Sequence, residues 1–195
     1  MNRRHILKVS GSALLNGVLI ATGVTAALMP ANAVPGQAPT AQLPLQSSNA
    51  RALAFVNTHT NERFNDTYWR AGSYVPDALA AINTVMRDHR TGEVYAMDPN
   101  LLDLLHRLHG LVEASAPFQI ISGYRSPATN AALTERSSGV ATGSLHMQGK
   151  AIDIRIAGIA LTHLRDTAIG MQAGGVGYYE ESNFIHVDTG RVRRW

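Results

Sequence analysis

The spacing of apolar and polar residues changes period several times along the chain, and each change predicts an element. Ala52-Leu-Ala-Phe-Val-Asn57 and Glu62-Arg-Phe-Asn-Asp-Thr-Tyr-Trp69 are rich in β-favouring side chains. They flank the turn-like His59-Thr-Asn61, which predicts a hairpin with His59 solvated at its tip. Pro76 to Met86 carries apolar residues at helical spacing behind a proline in the first turn, and Thr91-Gly92 then marks a break. Asp98-Pro99 predicts a second helix start, an N-cap followed by proline. Leu101, Leu104, Leu105 and Leu108 would form its buried stripe, Gly110 would weaken or bend it, and His106 and His109 would lie on a partly exposed face. Pro117 to Ser122 predicts a strand running directly into Gly123-Tyr124-Arg125, and Asn130 to Arg136 a short helix before a flexible Ser137-Ser138-Gly139 loop.

The clearest period-two segment is Ala151 to Ile156, where Ile152, Ile154 and Ile156 alternate with Asp153 and Arg155. Such a strand sends its isoleucines into a core and Asp153 to the opposite face. Ile159 to Met171 reads as an amphipathic helix with His163 on its polar side, and Gly174 to Tyr179 as a strand entered through a glycine turn. In Phe184-Ile-His-Val-Asp188 the alternation puts Phe184, His186 and Asp188 on one face. No internal repeat is evident. Strands with segregated helices predict an α+β fold, a small mainly antiparallel sheet with helices packed on one side.

Residues 1–33 read as an export leader rather than as structure. Asn2-Arg3-Arg4-His5-Ile6-Leu7-Lys8 is a twin-arginine type of address, a glycine-diluted apolar stretch follows, and Ala31-Asn32-Ala33 supplies a small-residue cleavage site. The stretch approaches the roughly 20 residues needed to span a bilayer, but its glycines and cleavage site favour removal, leaving no membrane association. Residues 34–50, rich in Pro, Ala and Gln, read as a flexible spacer, and 51–195 as one domain. The apparent basicity belongs to the leader: it takes three of the 17 Lys and Arg residues and no acidic one, leaving 14 against 14. A pI near 9.5 therefore implies neither nucleic acid nor anionic lipid as a partner. With no cysteine in the chain, an exported domain must rely on packing alone.

Candidate chemistry concentrates in Ser144-Leu-His-Met-Gln-Gly-Lys-Ala-Ile-Asp153, where six residues separate His146 from Asp153, together with His186. Two imidazoles and one carboxylate suit Zn²⁺ with a fourth position open for water, the mark of a catalytic rather than a structural site. If the strands holding Asp153 and His186 are neighbours, those two converge while His146 reaches in from a loop turned by Gly149. Spacing alone leaves open a backbone-bonded aspartate with two unrelated histidines. Arg125, at a strand-to-loop junction, could present its planar fork to a carboxylate or a polarised carbonyl, though spacing alone favours a surface ion pair. Ser144 could bond near the site or cap the loop, and Tyr124 could pack or touch substrate.

"SGYRS" (Ser122 to Ser126), the Ser-x-His-x-x-Gly-x-Ala-x-Asp pattern (Ser144 to Asp153) and "GGVGYY…NFIHVDTG" (Gly174 to Gly190) resemble the murein endopeptidase K family. These are periplasmic zinc peptidases related to D-Ala-D-Ala dipeptidases and carboxypeptidases of hedgehog-like fold, and the resemblance runs from about residue 50 to Trp195. It implies zinc on His146, Asp153 and His186, a substrate contact for Arg125 near the metal, and peptidoglycan stem peptides as substrate. It also implies cleavage of cross-links between two diaminopimelate residues, with stem-peptide trimming by a carboxypeptidase as the nearest competitor. A zinc-containing wall-binding module without turnover is the rival of another class. Many relatives of the fold carry an acidic residue three positions before the last ligand, where this chain has Asn183. Asp188, on the same strand face as His186, is the candidate general base, with orientation of a ligand imidazole as its alternative role. Glu180 and Glu181 are further carboxylates on the preceding loop.

Overall fold

A computed structural model describes residues 49–136 and 141–195. The expected leader, nearly all of the expected spacer and the Ser137-Ser138-Gly139 loop lie outside the described residues. The described residues form four helices and eight strands joined in one sheet.

The expected hairpin is β1 (Ala50–Asn57) and β2 (Arg63–Arg70), extended by a two-residue β3 (Ser73–Tyr74). Helix α1 (Pro76–Val85) and helix α2 (Pro99–Leu111) both carry proline in the first turn, where a missing N–H costs nothing. The Asp98 carboxylate caps α2 by accepting from the Asn100 N–H at 2.9 Å. Gly110 does not break α2, which continues to Leu111. After β4 (Phe118–Ser122), α3 (Pro127–Arg136) begins three residues earlier than Asn130. A short 3₁₀ helix (Leu145–Gln148) precedes β5 (Ala151–Ile156), α4 (Leu161–Gly170), β6 (Gly175–Tyr179), β7 (Phe184–Asp188) and β8 (Arg193–Arg194).

The sheet order is β3-β2-β1-β4-β5-β7-β6-β8; β1–β4 and β6–β8 run parallel and the other neighbours antiparallel. Alternation then assigns its two faces. Ile152, Ile154, Ile156, Ile185 and Val187 are buried, in one cluster with Ile82 and Val85 of α1, Leu101, Leu105 and Leu108 of α2, and Leu164 of α4. Helix α3 adds nothing to that cluster and buries the polar Thr129 and Asn130 instead. On the opposite face, register aligns Ser122 with Asp153, Asp153 with His186 and His186 with Gly177. One row of residues therefore crosses β4, β5, β7 and β6, and it carries the candidate residues Asp153 and His186.

Gly149 turns the chain from the 3₁₀ helix into β5 with φ +66°, and its carbonyl accepts from the Asp98 N–H at 2.9 Å. A Cβ there would also run into the Ala96 carbonyl oxygen. Gly149→Ala is therefore expected to destabilise the fold by about 1–3 kcal/mol, from left-handed strain and overpacking together, measured as a lower denaturant midpoint.

Candidate metal centre

Three side chains from separate elements converge. Ser144 caps the 3₁₀ helix by accepting from the His146 N–H, at 3.3 Å, which aims His146 at β5. Asp153 and His186 arrive as register partners on β5 and β7. His146 Nε2 lies 3.2 Å from His186 Nδ1 and 3.2 Å from Asp153 Oδ1, and His186 Nδ1 lies 3.0 Å from Asp153 Oδ1. A tetrahedral ion with ligands at about 2.0–2.1 Å has edges of about 3.3 Å between them, so the observed triangle is close to one tetrahedral face. These three residues, all buried, are the group with metal-holding geometry found among the described residues.

The remaining nitrogen of each imidazole decides what the converging atoms are. His146 Nδ1 sits 2.7 Å from the Gly123 carbonyl oxygen, which can only accept, so the proton belongs on Nδ1 and the Nε2 lone pair faces the centre. His186 Nε2 sits 2.8 Å from Asp188 Oδ2 and by the same logic carries its proton there, freeing Nδ1. Two nitrogen lone pairs and a carboxylate oxygen then point at one spot, an arrangement that repels itself unless a cation joins it. Orientation of ligand imidazoles by a carbonyl and a carboxylate is the usual outer support of a metal site. The residues thus fit a divalent ion.

Electrostatics agree. Burial pushes the Asp153 carboxyl up, but His146 and His186 more than offset this and hold it well below the usual carboxylate range. Burial disfavours charged His186, yet Asp153 and Asp188 on its two sides raise its pKa overall. A proton and a metal ion therefore compete for His186 Nδ1, and metal binding there releases a proton.

Arg125 follows β4 and is held by its N–H donating to the His146 carbonyl oxygen at 3.3 Å. Its guanidinium stands 3.6 Å from Asp153 Oδ2, on the side away from the imidazoles, and its Nε is buried with no hydrogen-bond partner. Burial lowers its pKa, with Asp153 opposing. Support comes from beneath: Asp88 Oδ2 accepts from the Ser126 N–H and hydroxyl at 2.9 and 2.7 Å, and the Met86 carbonyl oxygen accepts from the Tyr124 N–H at 2.8 Å. A Cβ at Gly123 would collide with that same Met86 oxygen, which is why the second position of SGYRS is glycine.

Asp188 is fully buried. Its Oδ1 accepts from the Gly175 N–H (3.1 Å), the Gly190 N–H (2.8 Å) and Arg193 (3.0 Å), while Oδ2 takes His186 Nε2 and the second arm of Arg193 (2.7 Å). A cleft of about 400 Å³ lies over the metal-ligand candidates, walled among others by Arg125, Tyr179, Phe184 and Trp195. Asp188 is not on its walls.

The other candidates lie elsewhere. Tyr124 is buried, stacks on Tyr95 and donates to Glu93 at 2.8 Å. Glu180 and Glu181 are exposed, and Asn183 holds the turn between β6 and β7 at φ +53°, a conformation asparagine tolerates. His59 contacts the Ile121 carbonyl oxygen, His106 that of Ala52 and His109 that of Ala116, and His163 is exposed. The Gly123 carbonyl, Arg193 and Trp195 are parts of the site that sequence reasoning missed. A backbone oxygen leaves no residue signature, and a two-residue strand has no period.

Comparison with known proteins agrees with this geometry. Residues 45–195 match the family model described as peptidoglycan L,D-endopeptidase MepK. The peptidoglycan L,D-endopeptidase MepK of Escherichia coli (strain K12) is 41% identical over 194 residues, covering 100% of this chain and 97% of that protein. The probable peptidoglycan L,D-endopeptidase MepK of Haemophilus influenzae is 45% identical over 146 residues, 74% of this chain and 78% of that one. No solved structure matches the chain. The chain belongs to the peptidoglycan L,D-endopeptidase MepK family of M15 metallopeptidases.

Proposed function

We propose that the protein is a zinc-dependent endopeptidase that hydrolyses peptidoglycan stem-peptide cross-links in the periplasm, those between two diaminopimelate residues in particular. The observation carrying this reading is the triangle of His146 Nε2, His186 Nδ1 and Asp153 Oδ1 beneath an open cleft. The L,D-endopeptidase relatives support the choice of bond. Residues 1–33 would be the export leader, 34–50 a spacer and 51–195 the catalytic domain. No helix among the described residues is long and apolar enough to cross a membrane.

Zinc held by these residues would supply a water of lowered pKa, towards about 7, and a Lewis acid for the scissile carbonyl. The chain's own contribution is charge and orientation. Arg125 offers its positive charge and its partnerless Nε–H to the oxygen that becomes negative as the amide is attacked. Gly123 and Asp188 hold the two imidazoles in the required tautomers. The lone pairs of Asp188 are committed to five donors and face away from the cleft, which supports the orienting role over that of general base. Asp188→Asn would place an amide N–H₂ against either Arg193 or His186. The expected result is roughly 10–100-fold weaker zinc binding with the fold retained, read by competitive zinc titration and circular dichroism.

Digestion of purified sacculi tests the function. Zinc-loaded protein should convert cross-linked dimers to monomers, stop on chelation and resume when zinc is returned. Trimming of stem-peptide ends with dimers left intact would make it a carboxypeptidase instead.

A further inference from the structure

The row crossing the sheet does not end at His186. Its next position is Gly177, and above that glycine lies the indole of Trp195. A Cβ at Gly177 would come within 2.7 Å of the ring, so the absence of a side chain there makes the space that Trp195 fills. The ring is fixed from several sides. The Trp195 N–H donates to the Val176 carbonyl oxygen at 3.2 Å, and its own carbonyl oxygen accepts from the Tyr178 N–H at 3.0 Å. The indole N–H donates to the Tyr179 hydroxyl at 2.9 Å, and the Arg193 guanidinium lies 4.8 Å from the ring centroid.

For all this anchoring, Trp195 remains 51% exposed and its ring walls the cleft, 5.2 Å from that of His186. Tyr179 and Phe184, stacked at 4.6 Å, continue the same wall. A large aromatic held rigid yet left half in water contributes little to the core. It does offer a preorganised apolar face, the property that makes tryptophan a frequent anchor in binding sites. The cation of Arg125 thus stands beside Asp153, and the aromatic platform of Trp195 beside His186.

We propose that Trp195 is a substrate-contacting, specificity-determining residue, its indole face receiving the hydrocarbon chain of the diamino-acid residue next to the scissile amide. The identity of that chain rests on the proposed function; the platform itself rests on the geometry above. The chemistry is apolar contact of methylene groups with the ring face, reinforced by the loss of water from both surfaces.

The test uses tryptophan emission, because the chain has two tryptophans and the other is Trp69 on β2. Trp69 packs beneath Arg51 and takes no part in the cleft, so Trp69→Phe leaves Trp195 as the sole reporter in zinc-loaded full-length protein. Titration with uncross-linked stem tetrapeptide containing diaminopimelate should shift or quench Trp195 emission saturably. Replacing diaminopimelate in that peptide with alanine, which lacks the chain, should weaken the response. In kinetics on soluble cross-linked muropeptides, Trp195→Ala should raise KM by roughly tenfold, with kcat and bound zinc held near wild type, and Trp195→Phe should recover most of the loss. Unchanged emission at saturating peptide, in protein that cleaves cross-links, would overturn the proposal. So would a Trp195→Ala variant that loses zinc or kcat at constant KM, since that marks a mere support for His186. A saturable, chain-dependent emission response in protein that cleaves no cross-link would uphold the platform while refuting the proposed reaction.

Discussion

Asp153→Asn is expected to abolish cross-link cleavage while leaving the protein folded. Asparagine matches aspartate in shape, so the strand register and the apolar face of β5 are undisturbed. What changes is the centre itself. The carboxylate is the sole anionic member of the triangle and the counter-charge 3.6 Å from Arg125. An amide in its place turns either an N–H₂ toward the imidazole lone pairs or a neutral oxygen toward an ion that needs a charge. Metal assistance supplies several kcal/mol of transition-state stabilisation, and each decade in rate corresponds to about 1.4 kcal/mol, so the loss should be at least ~10³-fold. Zinc stoichiometry should fall with activity, while the far-ultraviolet circular dichroism stays that of wild type. Wild-type turnover with zinc still bound would remove Asp153 from the centre.

Arg125→Ala should give the second largest effect, of a different kind. Here zinc should remain bound, because Arg125 approaches the proposed ligand Asp153 through the oxygen facing away from the imidazoles. The expected loss is roughly 10²–10³-fold in kcat, with a smaller change in KM, the pattern of an interaction made chiefly in the transition state. Arg125→Lys should restore part of it: the ammonium keeps the charge but not the planar fork. The segment carrying Arg125 is pinned by Asp88 through Ser126 and by the Met86 carbonyl through Tyr124, so the guanidinium is presented from a rigid base. A fall in zinc content that tracks the fall in rate would show that Arg125 serves the metal site rather than the substrate.

How the sequence foretells this site differs from residue to residue. The isoleucine alternation in β5 fixes the face of Asp153, because period two is a local property of the chain. The i, i+2 spacing of His186 and Asp188 likewise puts both on one face of β7. It could not say that Asp188 would be surrounded by five donors, since besides His186 two of these come from Arg193 and two from glycine amides on either side. Pairing of distant strands is a tertiary matter, and the parallel β1–β4 and β6–β8 contacts have no local signature. Helix α3 is a different case. Its start at Pro127 carries the same proline signal as α1 and α2, and Ser126 caps it by accepting from the Thr129 N–H at 3.2 Å. The weak apolar period of this polar helix hid its first turn, for α3 buries no apolar side chain against the sheet.

The central claim is that His146 through Nε2, His186 through Nδ1 and Asp153 through Oδ1 grip one divalent ion. Anomalous diffraction at the zinc edge from crystals of zinc-loaded protein tests it most directly. The account predicts a single strong peak about 2.0–2.1 Å from each of those three atoms, with Gly123 and Asp188 still bonded to the far side of the two imidazoles. A peak bound through His186 Nε2, or one lying away from the triangle in fully active protein, would contradict it.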